Sequence, residues 1–454
     1  LLKGDALTNF TILKNAAEEY IKSFVSYPPP RQTPYEERVK NKFSPTMFWD
    51  TQYDFIVDAL LGTGTRRDKK DNDVIGHAKL ALLECNRIPI VAVDIASGLI
   101  ADDGEGTYHT PWANYTVTFV GPKRGMFMRD GQKISGEIWV GDIGTPKVLV
   151  KQTDTGSYCI TRRFIHEFLP KRSLDAHKGS AGRVIVCGGS TGMSGAPALA
   201  ARAALKVGAG LCIACVPEKV QPVFASSVLE ATSHALPCDD EGRFVPEAAA
   251  RVLEYSKGAQ VLALGPGLSR SEGALDFARQ IITQSELPIV IDADALYALR
   301  AIENELKNRK APTILTPHPG EMAELLESST QDVQNDRMAA AQNCAQKYNV
   351  IVVLKGARSI VASPDFTTYN ENITGAIWFN LTGNPGMATG GSGDVLTGTI
   401  AGLLAQTRDA LQSTLLGVYL HGLAGDHEYS HRGNGLVAGD ICEALPRALK
   451  YIEE

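Results

Sequence analysis

At 454 residues the chain exceeds what one ordinary hydrophobic core supports, so two domains are expected. Hydrophobic residues at 44% and charged residues at 21% are those of an ordinary globular protein, and a net charge of −6 with a pI near 5.9 argues against a nucleic-acid-binding surface. No apolar run reaches membrane-spanning length and no secretory signal opens the chain, so the expectation is a cytoplasmic protein without a membrane partner.

The chain begins with Leu1 rather than Met, as a processed or trimmed product would. Residues 1–26 read as a helix with a polar face, followed by a proline loop at 28–30. Strand-like runs come next at 53–58, 89–94, 115–120 and 137–140, with a helix near 76–86 between the first two. This strand–helix–strand alternation predicts a mostly parallel sheet. Asp58 and Asp94 close two of these strands, on the edge where open α/β sheets bind ligands. Residues 145–170 are polar and turn-rich without a helical period. The domain boundary is placed there, giving domains at 1–150 and 151–454.

The second domain repeats the alternation. Strands are predicted at 183–187, 210–216, 261–264, 289–292, 313–315 and 351–354, with helices at 194–207, 246–256, 271–284, 320–327 and 335–347. Each domain is thus expected to be an α/β, three-layer αβα unit. Several strands run into loops suited to chemistry: GGSTGMSG, GPGLS, DADAL, TPHPGE and KGARS. Their clustering along one sheet edge predicts a single cleft.

The floor of that cleft is expected at 384–406, NPGMATGGSGDVLTGTIAGLLAQ. Val395, Leu396, Ile400, Leu403 and Leu404 recur at helical spacing, so one face of a helix should be buried. Gly391, Ser392 and Gly393 open it, leaving unpaired N–H groups as an anion site. Asp394 lies in the first turn, where the helix dipole favours its ionised form. An anion hole beside a carboxylate suits a hydroxyl that loses its proton while attacking a phosphate. A glycine-rich turn with an aspartate at a helix start is the bland alternative.

Other candidates keep two readings each. His318, between two prolines, is either a rigid surface turn or a ligand contact, with Glu321 near a hydrated magnesium ion. Lys355-Gly356 either makes a hairpin turn or contacts a nucleotide. Asp292 and Asp294 either bind a metal or cap the following helix. His421, His427 and His431 do not share one helical face, which disfavours a metal cluster. The eight cysteines fit no disulfide framework. Cys212 and Cys215 form a CxxC inside an apparent strand, where they point to opposite faces. Neither a Walker A sequence nor a clean GxGxxG occurs.

Residues from about 160 to 454 resemble the NAD(P)H-hydrate dehydratases of the ribokinase-like superfamily. The likeness is carried by HKGSAGRVIVCGGSTGMSGAPALAARAALKVGAGL, LGPGLS, DADAL, LTPHPGEMAELL, LKGARS and GNPGMATGGSGDVLTGTIAGLLAQ. Residues 1–150 resemble the NAD(P)H-hydrate epimerase domain through LKGDA, VDALLGTG, VDIASG and GDIGTP, which implies a partial Rossmann-like fold. For the second domain the resemblance implies Asp394 as the base. It implies Lys355, Gly356, Ala357, Arg358, Ser359, Gly391, Ser392 and Gly393 as the ADP or ATP site. It also implies Ala196, Gly267 and His318 as holding the hydrated dinucleotide, with magnesium assisting and NAD(P)H as the product. For the first domain it implies Asp94 as the catalytic aspartate, Gly62, Thr63 and Gly64 as substrate contacts, and Asp58 and Ser97 as potassium ligands. The family's NNGGDG-like loop does not occur and DIASG replaces DIPSG. The expectation is therefore a truncated or remnant epimerase half. A tetramer or octamer is implied, and a small-molecule kinase on the same fold is the competing reading.

Overall fold

Short apolar runs of branched residues build two sheets in the computed structural model of the chain, which describes residues 54–66, 73–84, 87–153, 155–367 and 374–454. The chain divides into two compact units, Leu1–Thr153 and Asp154–Glu454. The helix and proline loop expected within residues 1–30 lie outside the described residues.

In the first unit, β1 (Ile56–Asp58), β2 (Ile90–Val93), β3 (Tyr115–Phe119) and β4 (Glu137–Gly141) pair in parallel in that order. Helix α1 (Asp73–Glu84) joins β1 to β2. Its core gathers Ile90, Ala92, Ile95, Ala96, Leu99 and Met126.

Among its described residues the second unit forms a ten-stranded sheet. Its strands are β5 (Ser157–Ile160), β6 (Arg183–Cys187), β7 (Leu211–Pro217), β8 (Thr232–Leu236), β9 (Val261–Leu264), β10 (Ile289–Ile291), β11 (Thr313–Leu315), β12 (Ile351–Leu354), β13 (Ile360–Thr367) and β14 (Thr374–Asn380). Their order is β5-β14-β13-β12-β11-β10-β9-β6-β7-β8. Only β13 runs antiparallel to its neighbours. Among the described residues of this unit, the α-helices of eight residues or more are α2 (Gly195–Lys206), α3 (Glu272–Gln284), α4 (Pro319–Leu326), α5 (Arg337–Tyr348), α6 (Ser392–Thr407), α7 (Ala410–Arg432) and α8 (Ala438–Glu453).

Side chains alternate across a strand, and here both alternating sets are buried. Val184, Val186, Ala263, Val290, Ile314 and Val353 share one core with residues of α2, α6, α7 and α8. Ile185, Leu262, Leu264, Ile291, Leu315 and Val352 are fully buried outside that cluster. A sheet covered on both faces needs a helical layer on each, and α5 packs against β12 and β13.

Two expectations are corrected. The stretch 145–170, expected to be turn-rich without a helical period, forms a helix at Lys147–Gln152, strand β5 and a helix at Arg162–His166, and β5 pairs with β14. Segments of four to six residues are too short to display a period. Helix α6 is buried all round rather than on one face, from Val395 to Ala405. The alternate faces carry Gly398, Gly402, Thr397 and Thr399, which are small enough for neighbours to close over them.

Candidate active site

Strands β12, β11, β10, β9 and β6 are adjacent and parallel. Their C-terminal ends therefore lie side by side. The loops KGARS, TPHPGE, DADAL, GPGLS and GGSTGMSG follow those ends in that spatial order.

At the start of α6, Gly391 takes a left-handed φ of 88° as the residue before the first turn. That φ is one L side chains rarely adopt, so glycine is favoured there, and a Cβ would in addition displace Leu199 Cδ1 from 2.6 Å. Asp394 follows in the first turn. Burial raises its carboxyl to about 7, helped by the neighbouring Asp292 and opposed by Lys355. The helix dipole does not keep this carboxylate at an ordinary acidity, as the sequence led us to expect, because desolvation and like charge outweigh it.

Lys355 leaves the end of β12 and its side chain is 19% exposed. Its Nζ donates to Asp292 Oδ1 at 2.8 Å and lies 3.7 Å from Glu321 Oε2. Burial alone would lower its pKa, but Asp292 and Glu321 reverse the direction and raise it. A Cβ on Gly393 would stand 3.2 Å from this ammonium. Lys355 thus lies against the glycine-rich turn itself. The hairpin reading also holds, since β12 returns as β13. The remaining turn residues are anchored locally: Ser359 Oγ donates to the Gly356 carbonyl at 3.0 Å, and Arg358 Nη1 donates to the Leu381 carbonyl at 2.7 Å.

Asp292 is 1% exposed. It makes no side-chain cap to the helical segment Ala293–Ile302. Instead Thr397 Oγ1, one turn into α6, donates to its Oδ2 at 2.7 Å. Asp294 accepts from Ser269 N at 3.0 Å and from Arg270 Nε at 2.9 Å. It ties DADAL to GPGLS and caps nothing.

The prolines of TPHPGE set up α4. His318 Nδ1 accepts from the Gly320 and Glu321 N–H groups at 3.0 and 3.1 Å. Glu321 Oε2 accepts from His318 N at 2.7 Å, a reciprocal cap. His318 keeps half its side chain exposed while Glu321 is buried. Ala196 and Gly267 meet where GGSTGMSG and GPGLS touch: a Cβ on Gly267 would lie 3.2 Å from that of Ala196 and 2.7 Å from Met193 O.

Sequence reasoning missed several supports. His421 on α7 is buried with Nε2 3.4 Å from Ser392 Oγ, and burial lowers it to about 4, which keeps the ring neutral. Its part was hidden because no helical spacing links it to the glycine-rich turn. Thr397 was visible only as a polar residue inside an apolar helix. Cys212 and Cys215 lie buried on β7 as free thiols, both pushed up to about 12 by burial.

In the first unit, Ser97 N and Oγ donate to Asp58 Oδ2 and Oδ1 at 2.8 and 2.5 Å. Burial raises the Asp58 carboxyl despite these bonds. Leu61 N donates to Ser97 Oγ at 2.8 Å, leading into Gly62, Thr63 and Gly64, all exposed. Asp94 adopts φ 67° and accepts from Phe119 N at 3.1 Å, Thr118 Oγ1 at 3.2 Å and Lys123 Nζ. Lys123 was not foreseen; it follows β3 in a turn with no motif of its own.

Among described residues no helix is long and apolar enough to cross a membrane. The family model described as NAD(P)H-hydrate dehydratase matches residues 184–447, and that described as YjeF-related protein N-terminus matches residues 2–125. The bifunctional NAD(P)H-hydrate repair enzyme of Moorella thermoacetica is 40% identical over 402 residues, covering 88% of this chain and 74% of the relative. That of Escherichia coli is 33% identical over 404 residues, covering 88% and 72%. A crystal structure of ADP/ATP-dependent NAD(P)H-hydrate dehydratase from Bacillus subtilis, co-crystallized with ATP/Mg2+, matches with a TM-score of 0.55 and 30% identity, covering 66% of this chain and all of that one. These likenesses run through both units and through the loops that meet at the start of α6, and the chain belongs to the family of bifunctional NAD(P)H-hydrate repair enzymes.

Proposed function

We propose that the second unit repairs hydrated NAD(P)H at the expense of ADP or ATP, with Asp394 as the base. The carrying observation is a half-buried carboxylate, raised to about 7, beside a glycine-rich turn and a lysine. Asp394 takes the proton of the C6 hydroxyl as that oxygen attacks the terminal phosphorus of the nucleotide. The bond to the departing nucleotide breaks, leaving AMP from ADP or ADP from ATP. The ring nitrogen then pushes out phosphate and NAD(P)H is restored. The N–H groups of Gly391 and Gly393 would face the charge on the moving phosphoryl group, and that of Ser392, expected to be unpaired, donates instead to the Thr389 carbonyl at 3.4 Å and would join them on leaving it. Lys355 adds a positive charge at the same place, which extends its expected role as a nucleotide contact together with Gly356, Ala357, Arg358 and Ser359. Ala196 and Gly267, which the structure brings together, would hold the hydrated dinucleotide with His318.

A hydrated magnesium ion suits this site. Three carboxylates, Asp292, Glu321 and Asp394, act on the single lysine, which leaves negative charge for a hard cation to balance. Among described residues no group of three ligands is close enough to hold a metal directly, so waters and phosphates would complete its shell, with Glu321 holding one side. When bound, the ion neutralises phosphate charge.

For the first unit we propose Asp94 as the catalytic aspartate, Gly62, Thr63 and Gly64 as substrate contacts, and Asp58 with Ser97 as oxygen ligands for potassium. A buried carboxylate whose burial outweighs its hydrogen bonds fits a cation. We also propose a homo-oligomer acting in the cytoplasm.

Product analysis tests the main reading. Incubation with hydrated NADH, magnesium and nucleotide should release one free phosphate per NADH formed. A stable phosphorylated product in place of free phosphate would favour the small-molecule kinase instead.

A further inference from the structure

Arg337 is placed against every local rule. It opens α5, directly after the N-cap Asp336, where the helix dipole disfavours a cation. It is 7% exposed, and among the described residues no carboxylate lies within ion-pair distance of it. Burial lowers its pKa to about 10 with no opposing cause, and its Nε is buried without a partner. A charge kept in such a place must be held by what its other nitrogens do.

Those nitrogens all serve one segment. Nη2 donates to the Leu354 carbonyl at 3.3 Å and to the Lys355 carbonyl at 3.2 Å, and Nη1 donates to the Ala357 carbonyl. The guanidinium also packs under Gly356, where a Cβ would stand 2.9 Å from Nη2 and where φ is 135°. The φ calls for glycine there, and a Cβ would in addition push on the guanidinium.

The consequence follows from peptide geometry. Among the described residues no peptide bond is cis, and in a planar trans unit N–H and C=O point in opposite directions. Carbonyls of Lys355 and Ala357 drawn toward the guanidinium therefore send the N–H groups of Gly356 and Arg358 away from it. Gly356 and Ala357 are on the exposed side of the turn. Outward N–H groups on a tight turn form an anion-binding concavity. The same clamp fixes the backbone of Lys355, whose N–H donates to the Pro317 carbonyl at 2.9 Å.

We propose that Arg337 is a positioning residue of the nucleotide site: from behind the turn at 354–357 it holds the carbonyls inward, so that the N–H groups of Gly356 and Arg358 face the adenine nucleotide and Lys355 stays against Gly393. It touches neither substrate nor reacting atoms. This inference rests on the reading of KGARS as the nucleotide site given above.

The test uses the full chain with Arg337→Met and Arg337→Lys. Calorimetric titration with ADP and with ATP, each with magnesium, is read beside KM for nucleotide and for hydrated NADH. For Arg337→Met the nucleotide Kd and KM should rise about tenfold or more, since hydrogen bonds to a charged group are lost. KM for the hydrate should stay within about twofold, a split that general destabilisation does not produce. Lysine reaches fewer carbonyls, so Arg337→Lys should fall between. If Arg337→Met does not fold by circular dichroism, Arg337→Lys decides. Wild-type nucleotide affinity in a folded Arg337→Met or in Arg337→Lys would overturn the clamp. Nucleotide binding by the wild type without NADH formation, weakened in both variants, would uphold the clamp while the repair reading fails. No nucleotide binding by the wild type would overturn both.

Discussion

Asp394 concentrates the electrostatics of the second unit. Its carboxyl, raised to about 7 by burial and by Asp292 and against Lys355, is about half ionised near neutrality and gains its charge as pH rises through that range. A base must be ionised to act, so turnover should fall as pH drops through about 7. Removing the opposing charge with Lys355→Met should move this acid limb upward by roughly one pH unit, measured as kcat/KM against pH. An unmoved limb would mean that Lys355 does not act on Asp394. The same shift governs stability. Between the unfolded value of 3.8 and the folded value of about 7, the folded chain binds a proton that the unfolded chain does not. Stability contributed by this group is therefore present below about 3.8 and lost as pH rises toward 7. Asp394→Asn should be more stable than wild type by a few kcal/mol at about pH 8, at order of magnitude, with the difference gone near pH 4. Chemical denaturation at the two pH values checks this. The position of Asp394 was legible in the sequence because glycines before a helix and an acid in its first turn are local features. Its acidity was not, because it comes first from burial by the fold and then from Asp292, which follows β10 more than a hundred residues away in the chain.

Helix α6 is the element on which the site depends. Its apolar period was plain, but its neighbours were not. Gly398 faces the Ala200 carbonyl of α2 closely enough that an added Cβ would overlap it, and Gly402 stands in the same relation to Ala204. These glycines let two helices pass at backbone distance, and the first turn of α6 takes its place from that approach. Gly398→Val should destabilise the second unit by about 1–3 kcal/mol, the range for overpacking a filled core, and lower activity with it. An unchanged denaturation midpoint would refute the close approach. Sequence read the helix, the loops and the strand ends well because each shows a short-range pattern. It read β5 and β8 poorly. Ser157–Ile160 and Thr232–Leu236 are short and mixed in polarity, and they take strand form from β14 and β7, to which they bond.

At the scale of the whole molecule, two sheets carry two sets of strand-end residues. In the second unit the loops of five adjacent strands meet near the start of α6. In the first unit Asp58 with Ser97, and Asp94 with Lys123, form two smaller polar clusters at the ends of β1 and β2. The division of labour was legible as a repeated strand–helix alternation. What joined the residues within each unit was visible only through the sheet order. The most direct measurement follows the near-ultraviolet absorbance of the dihydronicotinamide ring when the purified chain receives hydrated NADH, magnesium, and ADP or ATP in separate cuvettes. Absorbance should recover with at least one nucleotide, and Asp394→Asn should slow that recovery by about 10²–10⁴. No recovery with either nucleotide, or recovery undiminished in Asp394→Asn, would contradict the assignment of the reaction to this site.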